Sequence, residues 1–339
     1  MKLSTDVLSR LYALGVQEVP QLTSIDSSKL STYAKCPRMF FFSHVAGFTP
    51  EDESIHLVAG RALHSAMEHI QKYGYTNKAW GETLSIMKDT MRPHYPEITW
   101  SSLKGKDPLS MHVALSDYIM RYGKEDAQDD LISTEQAYVI PISEDTYIIV
   151  KLDSLRRKVD KLIWVVDTKT SGARYNYTIE QFIQRFQFKA YTFALHSMYP
   201  SEQVGGVIVD LMILRSKDHE LERIPIVSTY EALEDWFFSA TSLTSRLKGD
   251  FEACSDVKVG DPIMRAFPKV TENCVQFNRM CPFHSLCYTN QNPSRLLQFQ
   301  VEGYKREIWN PLATEDPDKD KNFPLEPTTL NIFKDKAFE

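Results

Sequence analysis

The chain is expected to be an α/β protein whose mixed central sheet is flanked by helices and interrupted by a helical insertion. Three observations predict this. First, residues 147–166 hold two β-branched and aromatic runs, Tyr147–Leu152 and Leu162–Val166, around a charged turn, the pattern of a hairpin. Second, an apolar run, Gly206–Leu214, follows a long stretch of helical periodicity from Thr178 to His196. Third, the segments alternate as helices, three strands, helix, strand and helix, an order that suits a core with mixed strand directions.

Each element has its own signal. Residues 1–25 read as a short amphipathic helix and linker that ends at Ser24-Ile25-Asp26. Ser27-Ser28-Lys29-Leu30 opens a helix that meets Cys36-Pro37, and the very apolar Met39-Phe40-Phe41-Phe42 follows. From Gly60 to Tyr73, Leu63, Met67 and Ile70 form one helical stripe, with His64 and Glu68 on an adjacent one. Residues 76–125 read as further helices and form the insertion. Ala137–Ile140 is a strand ahead of the hairpin, and another helix spans about Tyr230 to Leu247. The tail after Trp309, rich in Pro, Asp, Lys and Asn, is expected to be an extended or partly disordered arm. No internal repeat is visible.

Bulk properties narrow the function. At 339 residues, 42% hydrophobic and 25% charged, the chain has the composition of a globular protein with a sizeable core. No stretch approaches the ~20 apolar residues of a membrane span. The N-terminus lacks a secretory apolar region, so a cytoplasmic location is expected. A formal charge of −6 argues against a nonspecific DNA coat, which relies on many phosphate contacts. A DNA enzyme needs only a local basic channel, for which Arg185 with Lys189 and the run Arg156-Arg157-Lys158 are candidates.

The hairpin carries the chemistry. Its first strand runs to Asp153 and its second to Asp167-Thr168-Lys169. With a side-chain period of two, Asp167 and Lys169 share a side of the pleat. A second carboxylate at the neighbouring strand end would complete a hard-oxygen site for Mg²⁺ or Mn²⁺ with a cation beside it. The plainer alternative is a salt bridge at a hairpin end. Glu135, at the start of the preceding strand, could add a carboxylate, though capping the strand end is its expected role. His64, normally a satisfied helical histidine, could as a ligand shift preference towards manganese. Gln187 and Tyr191, at i and i+4, share a helix face and could hold a phosphate or orient the lysine, with Tyr191 otherwise packing.

Three of five cysteines, Cys274, Cys281 and Cys287, lie close together, and Cys36 also precedes a proline. Four such thiolates make either a structural zinc site or an iron–sulfur cluster, and irregular spacing with one distant ligand favours the cluster. Cys254 lies outside the motif spacing. The bland alternative is a set of buried thiols.

Taken together, Leu30-x5-Cys36-Pro37-Arg38-x-Phe40, Gly60-x3-His64, Asp153, Asp167-x-Lys169-Thr170, Gln187-x3-Tyr191 and the closing cysteines resemble the RecB-like branch of the PD-(D/E)XK nuclease superfamily. The likeness is strongest to its iron–sulfur members, namely the CRISPR-adaptation-associated nucleases, the AddB nuclease domain and stand-alone phage nucleases. It covers about Leu30 to Tyr288. The resemblance implies a restriction-endonuclease-like core over residues 27–300. Residues 1–26 would lie before this single domain and 301–339 after it, and Cys274–Cys287 would close onto Cys36.

It also implies roles. His64, Asp153, Asp167 and the Thr168 carbonyl would hold Mg²⁺ or Mn²⁺. Lys169 would activate water, with Gln187 and Tyr191 in support. Cys36, Cys274, Cys281 and Cys287 would hold a 4Fe–4S cluster, with zinc the alternative. The implied activity is DNA exonuclease. A structure-specific or nicking endonuclease and a non-catalytic DNA-binding scaffold subunit are the competing readings. Two positions depart from the pattern: Lys151 stands where many members have glycine, and six residues separate Cys274 from Cys281 where the best-known members have two. No Walker A sequence occurs, so helicase activity would come from a helicase or recombination partner.

Overall fold

In chain order, a computed structural model contains α1 (Thr5–Leu14), β1 (Ile25–Asp26), α2 (Ser27–Lys35), α3 (Ile55–Tyr73), α4 (Asn77–Met91) and α5 (Pro108–Asp126). These are followed by β2 (Asp130–Ser143), β3 (Thr146–Arg157), β4 (Ile163–Ser171), α6 (Thr178–Ile183), α7 (Phe186–Met198), β5 (Val204–Leu214), β6 (His219–Ile226) and α8 (Tyr230–Ser255). The structure describes residues 1–17, 23–173, 178–276, 279–308 and 310. They fall into two compact units. One comprises Met1–Asp52, Val139–Val150 and the described residues from Glu234 on, and the other comprises Glu53–Tyr138 and Lys151–Leu233.

In the second unit β3, β4, β5 and β6 form a mixed sheet. β3 and β4 are antiparallel, with Ser154 opposite Val166. β4 and β5 are parallel, with Asp167 opposite Val209, and β5 and β6 are antiparallel. The mixed α/β arrangement agrees with expectation, although the strands are longer than the apolar runs that signalled them. β6 carries no apolar run, because His219, Glu220, Glu222, Arg223 and Pro225 populate it. It ends the path of strands, and charge and proline suit a strand with one open edge.

Helices α3, α4 and α5 pack together, and α4 and α5 span the expected insertion. Ser54, Thr76 and Asp107 cap their N-termini with side-chain hydrogen bonds. Val58, Ala62, Leu63, Ala66, Met67 and Ile70 of α3 pack with Met87 and Met91 of α4, Met111 and Leu115 of α5, and Met212 and Leu214 of β5. This apolar stripe fixes the rotation of α3, and so the direction in which His64 projects.

The periodic stretch from Thr178 to His196 is two helices rather than one. Arg185 takes an extended backbone conformation (φ −63°, ψ 127°) between α6 and α7. Its guanidinium stacks over the Phe182 ring at 4.8 Å, which helps account for the break.

In the first unit β1 pairs parallel with the start of β3 (Ile25 opposite Ile148). Tyr304–Arg306 pairs antiparallel with Phe48–Pro50, so the segment after 300 begins with an ordered strand. The rest of the expected tail, Trp309 and residues 311–339, lies outside the described residues. Among the described residues no helix is long and apolar enough to cross a membrane.

Candidate active site

Asp153 leaves the hairpin one step beyond the Ser154–Val166 pair, which brings it to the level of Asp167. His64 Nδ1, on α3, lies 3.0 Å from Asp153 Oδ2. The Thr168 N–H donates to the same oxygen at 3.2 Å. Lys169 Nζ lies 3.0 Å from Asp167 Oδ1 and 2.8 Å from Oδ2, so the shared face expected of this pair is present.

Glu135 joins the group from β2. One ligand atom from each of His64, Glu135 and Asp153 lies within 4.8 Å of the other two. The backbone at Glu135 is left-handed (φ 49°), which few non-glycine residues adopt. Such a residue interrupts the alternation of a strand, so no pattern in the letters shows where its side chain goes. Glu135 Oε2 lies 2.7 Å from Lys151 Nζ. Asp167 falls outside the close trio and is fully buried. Its Oδ2, although near Lys169, has no hydrogen-bond partner among the described residues.

The electrostatics follow from this crowding. Burial disfavours a charged His64, but the Asp153 carboxylate outweighs it by charge and hydrogen bond and raises the imidazole pKa to about 9. Burial would likewise raise Asp153, yet His64 and Lys169 bring it below the usual carboxylate value. Asp167 is pushed up to about 6 by burial, against the pull of Lys169 and with the Asp153 charge adding to the rise. Glu135 is also raised, by burial and by Asp153. Converging carboxylates whose charges repel one another, with an imidazole beside them, suit a hard divalent cation.

Around this core, Gln187 Nε2 donates to the Tyr191 hydroxyl at 2.6 Å. Burial raises the Tyr191 phenol well above its ordinary pKa, as do the charges of Asp167, Asp153 and Glu135. Lys169 also sits 5.7 Å from the centre of the Phe188 ring. Arg185 is exposed and interacts electrostatically with Asp167, while Lys189 Nζ lies 3.3 Å from Gln184 Oε1.

The cysteines belong to the first unit. Cys281 donates its N–H to the Cys274 carbonyl at 2.7 Å across a small hairpin of Val275–Gln276 and Arg279–Met280. Arg38, two residues after Cys36, is buried and donates to the carbonyls of Phe267 (2.8 Å) and Met264 (3.1 Å). Burial raises the Cys281 thiol, and the charges of Cys36, Cys274 and Cys287 raise it further. Among the described residues no three of these thiols lie within 4.8 Å of one another. Cys254 is fully buried, and its thiol is pushed up to about 12 by burial.

A family model for the PD-(D/E)XK nuclease superfamily matches residues 26–288. The chain belongs to this superfamily. Among solved structures it is similar to a provisionally named exonuclease from Eubacterium rectale, at 13% identity and a TM-score of 0.44, over 74% of this chain and 87% of that one. It is also similar to the protein named SSO0001, at 13% identity and a TM-score of 0.30, over 71% of this chain and 84% of that one. Among curated proteins none matches.

Proposed function

We propose that the protein is a divalent-metal-dependent DNA exonuclease acting on single strands or duplex ends, in recombination, repair or phage DNA processing. The observation that carries the reading is the convergence of His64, Glu135 and Asp153 beside the Asp167–Lys169 pair. His64, Asp153 and Asp167, with Glu135 added and the Thr168 carbonyl as a backbone donor, are the residues that would hold Mg²⁺ or Mn²⁺. Such an ion would supply an activated water and polarise a phosphoryl oxygen. Lys169, anchored by Asp167, would orient that water and offset the charge growing on the phosphate. Gln187 and Tyr191 would brace this group, and Arg185 and Lys189 would touch the nucleic-acid backbone.

Cys36, Cys274, Cys281 and Cys287 would hold a 4Fe–4S cluster with a structural role. A zinc tetrahedron with ~2.3 Å bonds has thiolates only about 3.8 Å apart. Iron and acid-labile sulfide in anaerobically purified protein, lost in Cys281→Ser, are expected; zinc alone would overturn the assignment.

Cleavage of end-labelled linear and covalently closed circular DNA tests the exonuclease reading. Degradation of the linear form only is expected. Cutting of circles would instead indicate an endonuclease, and no cleavage of either would indicate a binding subunit that works with a helicase or recombination partner.

A further inference from the structure

Lys106, in the loop between α4 and α5, has no part in the site described above. Only 7% of the residue is exposed, yet its amine has no hydrogen-bond or ion-pair partner among the described residues. Partial desolvation lowers the pKa of this amine. The loop that holds it is strained. Lys104 and Gly105 both take left-handed backbone conformations (φ 53° and 81°). A Cβ on Gly105 would lie 1.9 Å from the Arg215 carbonyl oxygen, so only glycine lets the loop press against the end of β5. Local strain of this kind is kept where the surroundings demand a particular placement.

The amine is placed at the far end of the catalytic strand. A Cβ added to Gly172 would lie 3.4 Å from Lys106 Nζ. Gly172 follows Ser171, the last residue of β4. It is three residues past Lys169, roughly 10 Å at ~3.3 Å per residue of extended chain.

We propose that Lys106 binds a backbone phosphate of the nucleic-acid substrate, adjacent to the one cleaved, and so sets the register of the strand in the site. The proposal rests on the nuclease reading. It is tested by equilibrium binding of a fluorescein-labelled single-stranded oligonucleotide to the full chain carrying Lys169→Ala, across a salt series. With Lys106→Met added, binding should weaken several-fold. The slope of log affinity against log salt should fall by about 0.7, the share of one phosphate contact on a single strand. Lys106→Arg should restore both.

A second measurement needs no change at Lys106. Neutral methylphosphonates scanned through the oligonucleotide should reveal one sensitive position beside the cleaved phosphate, and Lys106→Met should abolish that sensitivity. Unchanged affinity and slope in Lys106→Met, or a scan with no sensitive neighbour, would overturn the assignment. These results differ from failure of the nuclease reading itself, in which the parent protein would neither bind nor cleave DNA.

Discussion

Lys151 Nζ lies 2.7 Å from Glu135 Oε2, so a lysine reaches into the acidic group at a position where many superfamily members have glycine. With Lys169 on Asp167, two ammonium groups face the three carboxylates of Glu135, Asp153 and Asp167. The site therefore carries less negative charge than its acids alone suggest.

Removing Lys151 should tighten metal binding. Lys151→Gly frees Glu135 from a partly exposed ion pair, an interaction worth on the order of 1 kcal/mol. Calorimetric titration with Mn²⁺ should show affinity rising by several-fold. Unchanged or weaker binding would mean that Glu135 does not contribute to holding the ion.

Metal binding should release a proton. The His64 pKa is raised to about 9, so at pH 7 to 8 the imidazole of the metal-free protein is protonated. A ligating imidazole must be neutral. Binding therefore expels about one proton, and affinity should rise with pH up to about 9. Mn²⁺ titrations in buffers of different ionisation enthalpy should give heats that differ by that proton's worth, and His64→Ala should remove the difference. Buffer-independent heats in the parent protein would show that His64 is not a ligand.

The second unit depends on a buried charge network away from this site. Arg223 Nε lies 2.7 Å from Asp210 Oδ1 and Arg223 Nη1 lies 2.8 Å from Asp126 Oδ1, while the Tyr118 hydroxyl sits 2.9 Å from Asp126 Oδ2. Arg156 Nη1 lies 3.4 Å from Asp126 Oδ2 and 3.9 Å from Asp129 Oδ2. Asp126→Asn leaves both cations undercompensated in a dry setting, and breaking such a network costs about 3 kcal/mol. The urea midpoint should fall accordingly while Mn²⁺ binding to the folded protein is kept. An unfolding free energy within ~0.5 kcal/mol of the parent would show that the network adds little.

Much of the site was legible because it obeys simple periodicities. Asp167 and Lys169 share a face because they are two apart on a strand, and His64 borders a helical stripe fixed by Leu63, Met67 and Ile70. Glu135 was harder to place. Its left-handed backbone breaks the strand rule that would have located it. β6 was hidden because an edge strand rich in charge and proline has no apolar run to announce it. The break before α7 was hidden because Arg185 is neither proline nor glycine, and its stacking on Phe182 is a matter of tertiary geometry. Lys106 had no signal at all. A lone lysine between Gly105 and Asp107 reads as ordinary loop until the fold brings it beside Gly172.

The central claim is that Lys169 and the acids beside it perform metal-dependent phosphodiester hydrolysis. The most direct measurement is the single-turnover rate of DNA cleavage by the parent protein and by Lys169→Ala, with Mg²⁺ or Mn²⁺ and again with EDTA. The parent should cleave only with metal, and Lys169→Ala should be slower by about 10²–10³-fold, the usual effect of losing one group that stabilises developing charge, while still binding Mn²⁺. Cleavage that survives EDTA, or a Lys169→Ala rate equal to that of the parent, would contradict it.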